Sequence, residues 1–257
     1  MDFNFIDLQV QGPVGWYRFN RGPRNSVHWE MLYELAPAFE ALLADEDVGV
    51  IVIASALGGY FNTGADVGAF KGVAGERMRD WVRETHGLVR LLRGSPKPVL
   101  AAINGVAVGG GLEMTLHADL RVAASDARLG QPEVNIGFIP PVGGTQGLVR
   151  LVGRSHAFRM LYGGELMDAE VAHEIGLVDF VVAPEDLEHE VQAYGEMLAT
   201  KPANTLTAIR RCLVDGGGAA FDDGLAIEKD QASALVDHPN FQEGVTAFSE
   251  KRNPEWE

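Results

Sequence analysis

Apolar runs rich in β-branched residues alternate with stretches of helical period over most of the chain. Residues 49–54 (Gly-Val-Ile-Val-Ile-Ala) are continuously apolar, as is Val99–Ile103, and Leu120–Ala124 is broken only by Arg121. Unbroken runs of this kind fit strands buried on both faces. Upstream, residues 5–10 and Val14–Phe19 flank Gln11-Gly12-Pro13 and read as a hairpin. The period changes between the runs. Residues 28–43 set Met31, Leu32, Leu35, Phe39, Leu42 and Leu43 on one face, and residues 77–92 and 110–117 are also helical in pattern. Strands alternating with helices predict an α/β fold with mainly parallel pairing.

After residues 178–182 the character shifts to helix alone. Residues 184–200, 202–214, 221–236 and 240–251 each read as a helix, with Pro and Gly at the joints. No internal repeat, low-complexity tract or Ser/Gly linker interrupts the chain, which predicts one continuous folding unit with a helical extension. We divide it into a core over residues 1–197 and a helical region over 198–257. The extension is rich in Ala and Leu on one face, so it needs a surface to cover, either its own core or another subunit.

With 257 residues, 46% of them apolar, the chain is long enough for one large core. No apolar run reaches the ~18 residues of a membrane span, and Met1-Asp2-Phe3-Asn4 lacks the basic and apolar regions of a signal peptide, so a cytoplasmic location is expected. A single cysteine, Cys212, excludes a disulfide framework and a Cys-rich metal site. It has no His at helical spacing and reads as an inert core thiol rather than a nucleophile. The net charge of −15 opposes binding to nucleic acid or anionic lipid. An anionic substrate would then need a local basic pocket, and the candidates Arg24, Lys71 and Lys251 are scattered in sequence. The seven histidines show no HExxH spacing, so no metal is expected; His117 and His173 read as helix-surface or satisfied interior residues. P-loop, dinucleotide-binding and GxSxG signatures are missing.

Three stretches carry candidate chemistry. Gly58-Gly59-Tyr60-Phe61-Asn62-Thr63-Gly64-Ala65-Asp66 follows the strand ending near Ala54, and is either a plain turn or a ligand loop at a strand's carboxyl end. In the second, Asn104-Gly105-Val106-Ala107-Val108-Gly109-Gly110-Gly111-Leu112-Glu113, a strand runs through a glycine triplet into a helix. The triplet serves either close packing or an oxyanion held by free N–H groups at the helix start. Twenty residues past Glu113, Gly130-Gln131-Pro132-Glu133 places a second carboxyl in apolar surroundings, where it is either a buried structural group or one whose raised pKa lets it carry a proton.

In this order, with Gly143-Gly144-Thr145-Gln146, residues 172–176 before Leu177-Val178, and Glu250-Lys251-Arg252, these blocks resemble the crotonase family, the enoyl-CoA hydratase/isomerase superfamily, from about residue 5 to the end. The resemblance implies a spiral of ββα turns with a C-terminal α-helical trimerisation region, assembled as a homo-trimer or a dimer of trimers. It implies an acyl-CoA ligand and no separate cofactor, coenzyme A being part of the substrate. By position, the N–H groups of Ala65 and Gly110 would form the oxyanion hole. Arg24, Asp66 and Gly109 would lie near the coenzyme A, with Lys251 reaching it from a neighbouring subunit.

Family hydratases carry both glutamates, whereas enoyl isomerases usually keep only the one matching Glu133. The resemblance therefore implies hydration of a trans-2-enoyl-CoA, with Glu113 activating water and Glu133 protonating the α-carbon. An isomerase, or another lyase or hydrolase using Glu133 alone, is the enzymatic alternative. A non-catalytic assembly or RNA-binding subunit is the reading from another class, and the charge opposes it. Three positions depart from the hydratase pattern. Pro141 stands where a Gly N–H usually helps fix the attacking water, Gly68 where a Lys often approaches the phosphates, and Gly147 where Arg commonly follows Gly-Gly-Thr-Gln.

Overall fold

The computed structural model describes residues 3–257. The chain opens with an antiparallel hairpin, β1 (Ile6–Gln11) and β2 (Val14–Phe19), followed by α1 (Trp29–Ala44). Three two-strand steps come next. The first is β3 (Val50–Ser55) and β4 (Gly59–Asn62), leading to α2 (Gly75–Gly94). The second is β5 (Val99–Ile103) and β6 (Gly105–Val108), leading to α3 (Gly110–Thr115). The third is β7 (Leu120–Ala124) and β8 (Arg128–Gly130), leading through a 3-10 turn at Pro132–Ile136 to α4 (Gly144–Gly163). The strands finish with β9 (Leu166–Asp168), α5 (Ala169–Glu174) and β10 (Phe180–Val182), and the chain ends in α6 (Leu187–Ala199), α7 (Ala203–Val214), α8 (Phe221–Val236) and α9 (Pro239–Glu250).

Each step sends its first strand into a six-stranded sheet of order β1-β2-β3-β5-β7-β10 and its second into a four-stranded sheet of order β4-β6-β8-β9. Apart from the hairpin and the β8–β9 pair, all pairings are parallel. The result is a spiral of ββα turns, as the resemblance implies. Its large sheet is buried on both faces, which explains the unbroken apolar runs in β3 and β5. On one face Phe19, Ile51, Ile53 and Ile103 join Met31, Leu35 and Phe39 of α1. On the other, Trp16, Val50, Val52, Leu100 and Val122 are covered by Leu187 and Val191 of α6.

The second sheet is not readable from hydrophobic pattern, because strands of three or four residues are too short to show a period. α4 is also unforeseen. Gly147 and Gly153 interrupt its pattern, and Gly153, at φ +73°, breaks the helix into two segments. The terminal helices are tied to the core through Arg210 of α7. Its buried guanidinium meets Asp119 at 2.9 Å and donates to the carbonyls of Leu92, Arg93 and Ser95. Beyond that tether, Leu213, Phe221, Leu225, Val245 and Phe248 remain exposed. No helix among the described residues is long and apolar enough to cross a membrane.

Candidate active site

The small sheet gathers the chemistry. β4, β6 and β8 run parallel and adjacent, with Asn62 opposite Ala107 and Val108 opposite Gly130. Their carboxyl ends therefore release three loops side by side: Thr63-Gly64-Ala65, Gly109-Gly110 and Gln131-Pro132-Glu133. With Trp81 of α2, Phe138 and the 141–142 segment, these loops enclose a cavity of about 230 Å³ lined by Ala65, Gly109, Gly110, Glu113 and Glu133. This is the end of a parallel sheet where ligands bind.

The loops touch backbone to backbone, which explains two of the glycines. Gly64 has φ +73°, and a Cβ there would stand 2.9 Å from the Gly110 nitrogen. Gly109 has φ +55°, and a Cβ there would stand 2.9 Å from Glu133 Oε1. Asn62 Oδ1 accepts the Gly64 N–H at 2.8 Å and shapes the first loop. Val27 N–H donates to Gly64 O and Asp66 N–H to Val27 O, so the intervening Ala65 N–H has no acceptor among the described residues. Gly110 begins α3, where the first N–H groups of a helix lack intrahelical partners. Two free donors thus stand on adjacent loops of one cavity, an arrangement able to hold an oxygen on which negative charge develops.

Glu113 lies in the first turn of α3 and is fully buried. Its Oε1 accepts the N–H groups of Val142 and Gly144, both at 2.7 Å, while Oε2 has no partner among the described residues. Burial pushes its pKa up to about 8, the charge of Glu133 adds to this, and the two N–H donors oppose it. Glu133, in the 3-10 turn after β8, is 9% exposed, and burial raises its pKa as well. The buried Gln131 amide sits against it, its nitrogen placed to donate to both carboxyl oxygens at 3.1 and 3.2 Å. Two carboxyls raised in one cavity keep a proton between them at neutral pH, the state needed by a pair in which one member donates and the other accepts.

The sequence profile described as Enoyl-CoA hydratase/isomerase matches residues 10–257. The chain belongs to the enoyl-CoA hydratase/isomerase family. It is 35% identical over 253 residues to a crotonyl-CoA hydratase of Syntrophomonas wolfei, covering 98% of this chain and 97% of that one. It is also 35% identical, over 241 residues, to a 2,3-dehydroadipyl-CoA hydratase of Escherichia coli, covering 91% and 90%. A solved structure of an enoyl-CoA hydratase from Bacillus anthracis superposes with a TM-score of 0.93 at 31% identity, covering 98% of this chain and 99% of that one.

For an enoyl-CoA hydratase/isomerase family member, the structure brings Ala65, Gly109, Gly110, Glu113 and Glu133 into one cavity and leaves three expected residues outside its wall. Arg24 is exposed, with its guanidinium 5.8 Å from the Tyr60 ring. Asp66 pairs with Arg21 at 3.4 Å. Lys251 is exposed, ending α9 at φ +57°. Among the described residues no group of three His, Cys, Asp or Glu is placed to hold a metal ion.

Two histidines stand directly behind the site. His86 of α2 donates from Nε2 to Pro141 O at 2.8 Å, and His117 donates from Nε2 to Val142 O at 3.1 Å. His117 follows Glu113 by four residues, a helical spacing that could have marked it. No sequence signal connects His86 to the site. Of the two readings of His117, helix-surface or satisfied interior, burial excludes the first, and the second holds only for Nε2, since Nδ1 is buried with no partner among the described residues.

Proposed function

We propose that the chain is an enoyl-CoA hydratase that adds water across the 2,3 double bond of a trans-2-enoyl-CoA. The observation that carries this reading is the second carboxyl. Glu113 has one oxygen held by two N–H groups and the other bare, in the same cavity as Glu133. Moving a double bond along a chain needs one proton shuttle, whereas adding water needs a second group to hold and deprotonate it.

In this proposal the thioester oxygen lies between the Ala65 and Gly110 N–H groups, each contributing ~3–4 kcal/mol as enolate charge builds. Water rests on Glu113 Oε2. In the reactive form the shared proton sits on Glu133 and Glu113 is ionised; the water oxygen bonds to the β-carbon, the water proton passes to Glu113, and Glu133 delivers its proton to the α-carbon. Transfer of the proton from Glu113 to Glu133 restores the site. The names of the relatives support the reaction class. Among the described residues no Lys, Arg or His lines the cavity, which supports a neutral acyl chain over one ending in a second carboxylate. Arg24, Asp66, Gly109 and Lys251 are our candidates for the coenzyme A contacts. The exposed apolar side chains of α7–α9 support assembly through residues 198–257, as a homo-trimer or dimer of trimers.

Pro141 favours a second reading, an isomerase using Glu133 alone, because a proline cannot supply an N–H to the water. Absorbance separates the two. Hydration bleaches the conjugated thioester of crotonyl-CoA, whereas isomerisation of a 3-enoyl-CoA creates that absorbance. Loss of signal from crotonyl-CoA is expected, and gain from the 3-enoyl substrate alone would replace the proposal with the isomerase.

A further inference from the structure

The segment over Glu113 begins with two residues, Pro140 and Pro141, that have no N–H to anchor it. Its hold comes from carbonyls instead. Pro141 O accepts from His86 and Val142 O accepts from His117. A carbonyl only accepts, so each imidazole carries its proton on Nε2.

A trans peptide unit is a flat plate with its C=O and N–H pointing in opposite directions. The Pro141 carbonyl and the Val142 N–H are two ends of one plate. His86 grips one end, and the other delivers a 2.7 Å bond to Glu113 Oε1. The next plate, Val142 C=O with Gly143 N–H, is gripped by His117. It leads into the plate whose Gly144 N–H is the second donor to Oε1. His117 sits so close under the turn that a Cβ on Gly143 would stand 2.6 Å from its Nε2, and Gly143 holds φ +87°. Hydrogen bonds in series through one plate also polarise one another, so the grip on the carbonyl strengthens the donor at the far end.

We propose that His86 and His117 are positioning residues for Glu113. They fix the two plates that aim the Val142 and Gly144 N–H groups at Oε1, which keeps Oε2 turned to the water. The catalytic consequence rests on the hydratase reading, but the geometric one does not. Neither imidazole lines the cavity, so both act through the backbone.

The test compares His86→Leu, which removes the donor, with His86→Gln, which keeps an N–H at similar reach. His86 is only half-buried, which favours folding of both variants. For crotonyl-CoA hydration, His86→Leu should lower kcat about tenfold with KM little changed, and His86→Gln should restore most of it. A second arm needs no turnover. The infrared band of protonated Glu113, assigned by its loss in Glu113→Gln, is followed against pH in the free protein. Weakening a donor to the carboxylate disfavours the charged form, so His86→Leu should titrate at higher pH and His86→Gln close to wild type. An unchanged titration in His86→Leu, or an equal fall in kcat for both variants, would overturn the proposal. If the wild type hydrates nothing, the hydratase reading fails while the infrared arm still decides the role of His86.

Discussion

Replacing Glu113 with glutamine should abolish hydration and stabilise the protein, by an amount that depends on pH. Glu113 is fully buried, and its pKa of about 8 stands against an ordinary 4.5. A rise of about 3.5 units corresponds to about 5 kcal/mol. Because the folded pKa is the higher one, the group costs nothing below about pH 4.5, where folded and unfolded chains are both protonated. Between about 4.5 and 8 the unfolded chain releases its proton and the folded chain keeps it, so stability falls by about 1.4 kcal/mol per pH unit. Above about 8 the loss is complete. Between pH 6 and 8 the wild type should therefore lose about 2 kcal/mol through this one side chain. An amide oxygen in the variant can still accept the Val142 and Gly144 N–H groups, and it carries no charge to bury. Urea unfolding of both proteins at pH 6 and pH 8, at one protomer concentration, measures the difference. The variant should be the more stable at pH 8, and its advantage should grow by about 2 kcal/mol from pH 6. A difference that does not change with pH would refute the shifted Glu113 on which the acid–base account depends.

Other changes follow from the same geometry. Pro141→Gly returns an N–H to the cavity wall, so kcat should rise up to about tenfold while unfolding measurements register a loss of about 1 kcal/mol from added chain freedom. Gly64→Ala, which drives a Cβ toward the Gly110 nitrogen, should cut kcat by about 10²–10³ with circular dichroism unchanged; near-normal turnover would remove Ala65 and Gly110 as a matched donor pair. Arg210→Ala leaves Asp119 and three carbonyls without their buried partner, so chemical denaturation should show a loss of about 3–5 kcal/mol.

How much of this was legible in the sequence differs from element to element. The β-branched runs in β3 and β5 announced a sheet covered on both faces, because burial on both sides removes the polar alternation. Glu113 and Glu133 could be picked out because each lies within a few residues of a glycine turn whose purpose is close backbone approach. The strands that bring those turns together, β4, β6 and β8, are too short to have a period. Their adjacency is set by pairing across the chain, which no local pattern encodes. Pro141 was readable as a missing N–H. That two of the next three N–H groups, those of Val142 and Gly144, turn onto Glu113 was not, since it depends on where His86 and His117 stand behind them. The long-range grip of Arg210 on Asp119 is of the same kind: both residues are ordinary charges in sequence, and only the fold brings them together, burying the guanidinium and leaving the carboxylate half-buried.

In the proposed reaction Glu113 and Glu133, working beside the Ala65 and Gly110 donors, add water to an enoyl thioester. The most direct test is the product mass from crotonyl-CoA incubated with the protein in ¹⁸O-labelled water. The wild type should give a product heavier by one labelled water, and Glu113→Gln and Glu133→Gln should give none. An unhydrated product, or full label incorporation by Glu113→Gln, would contradict the proposed reaction.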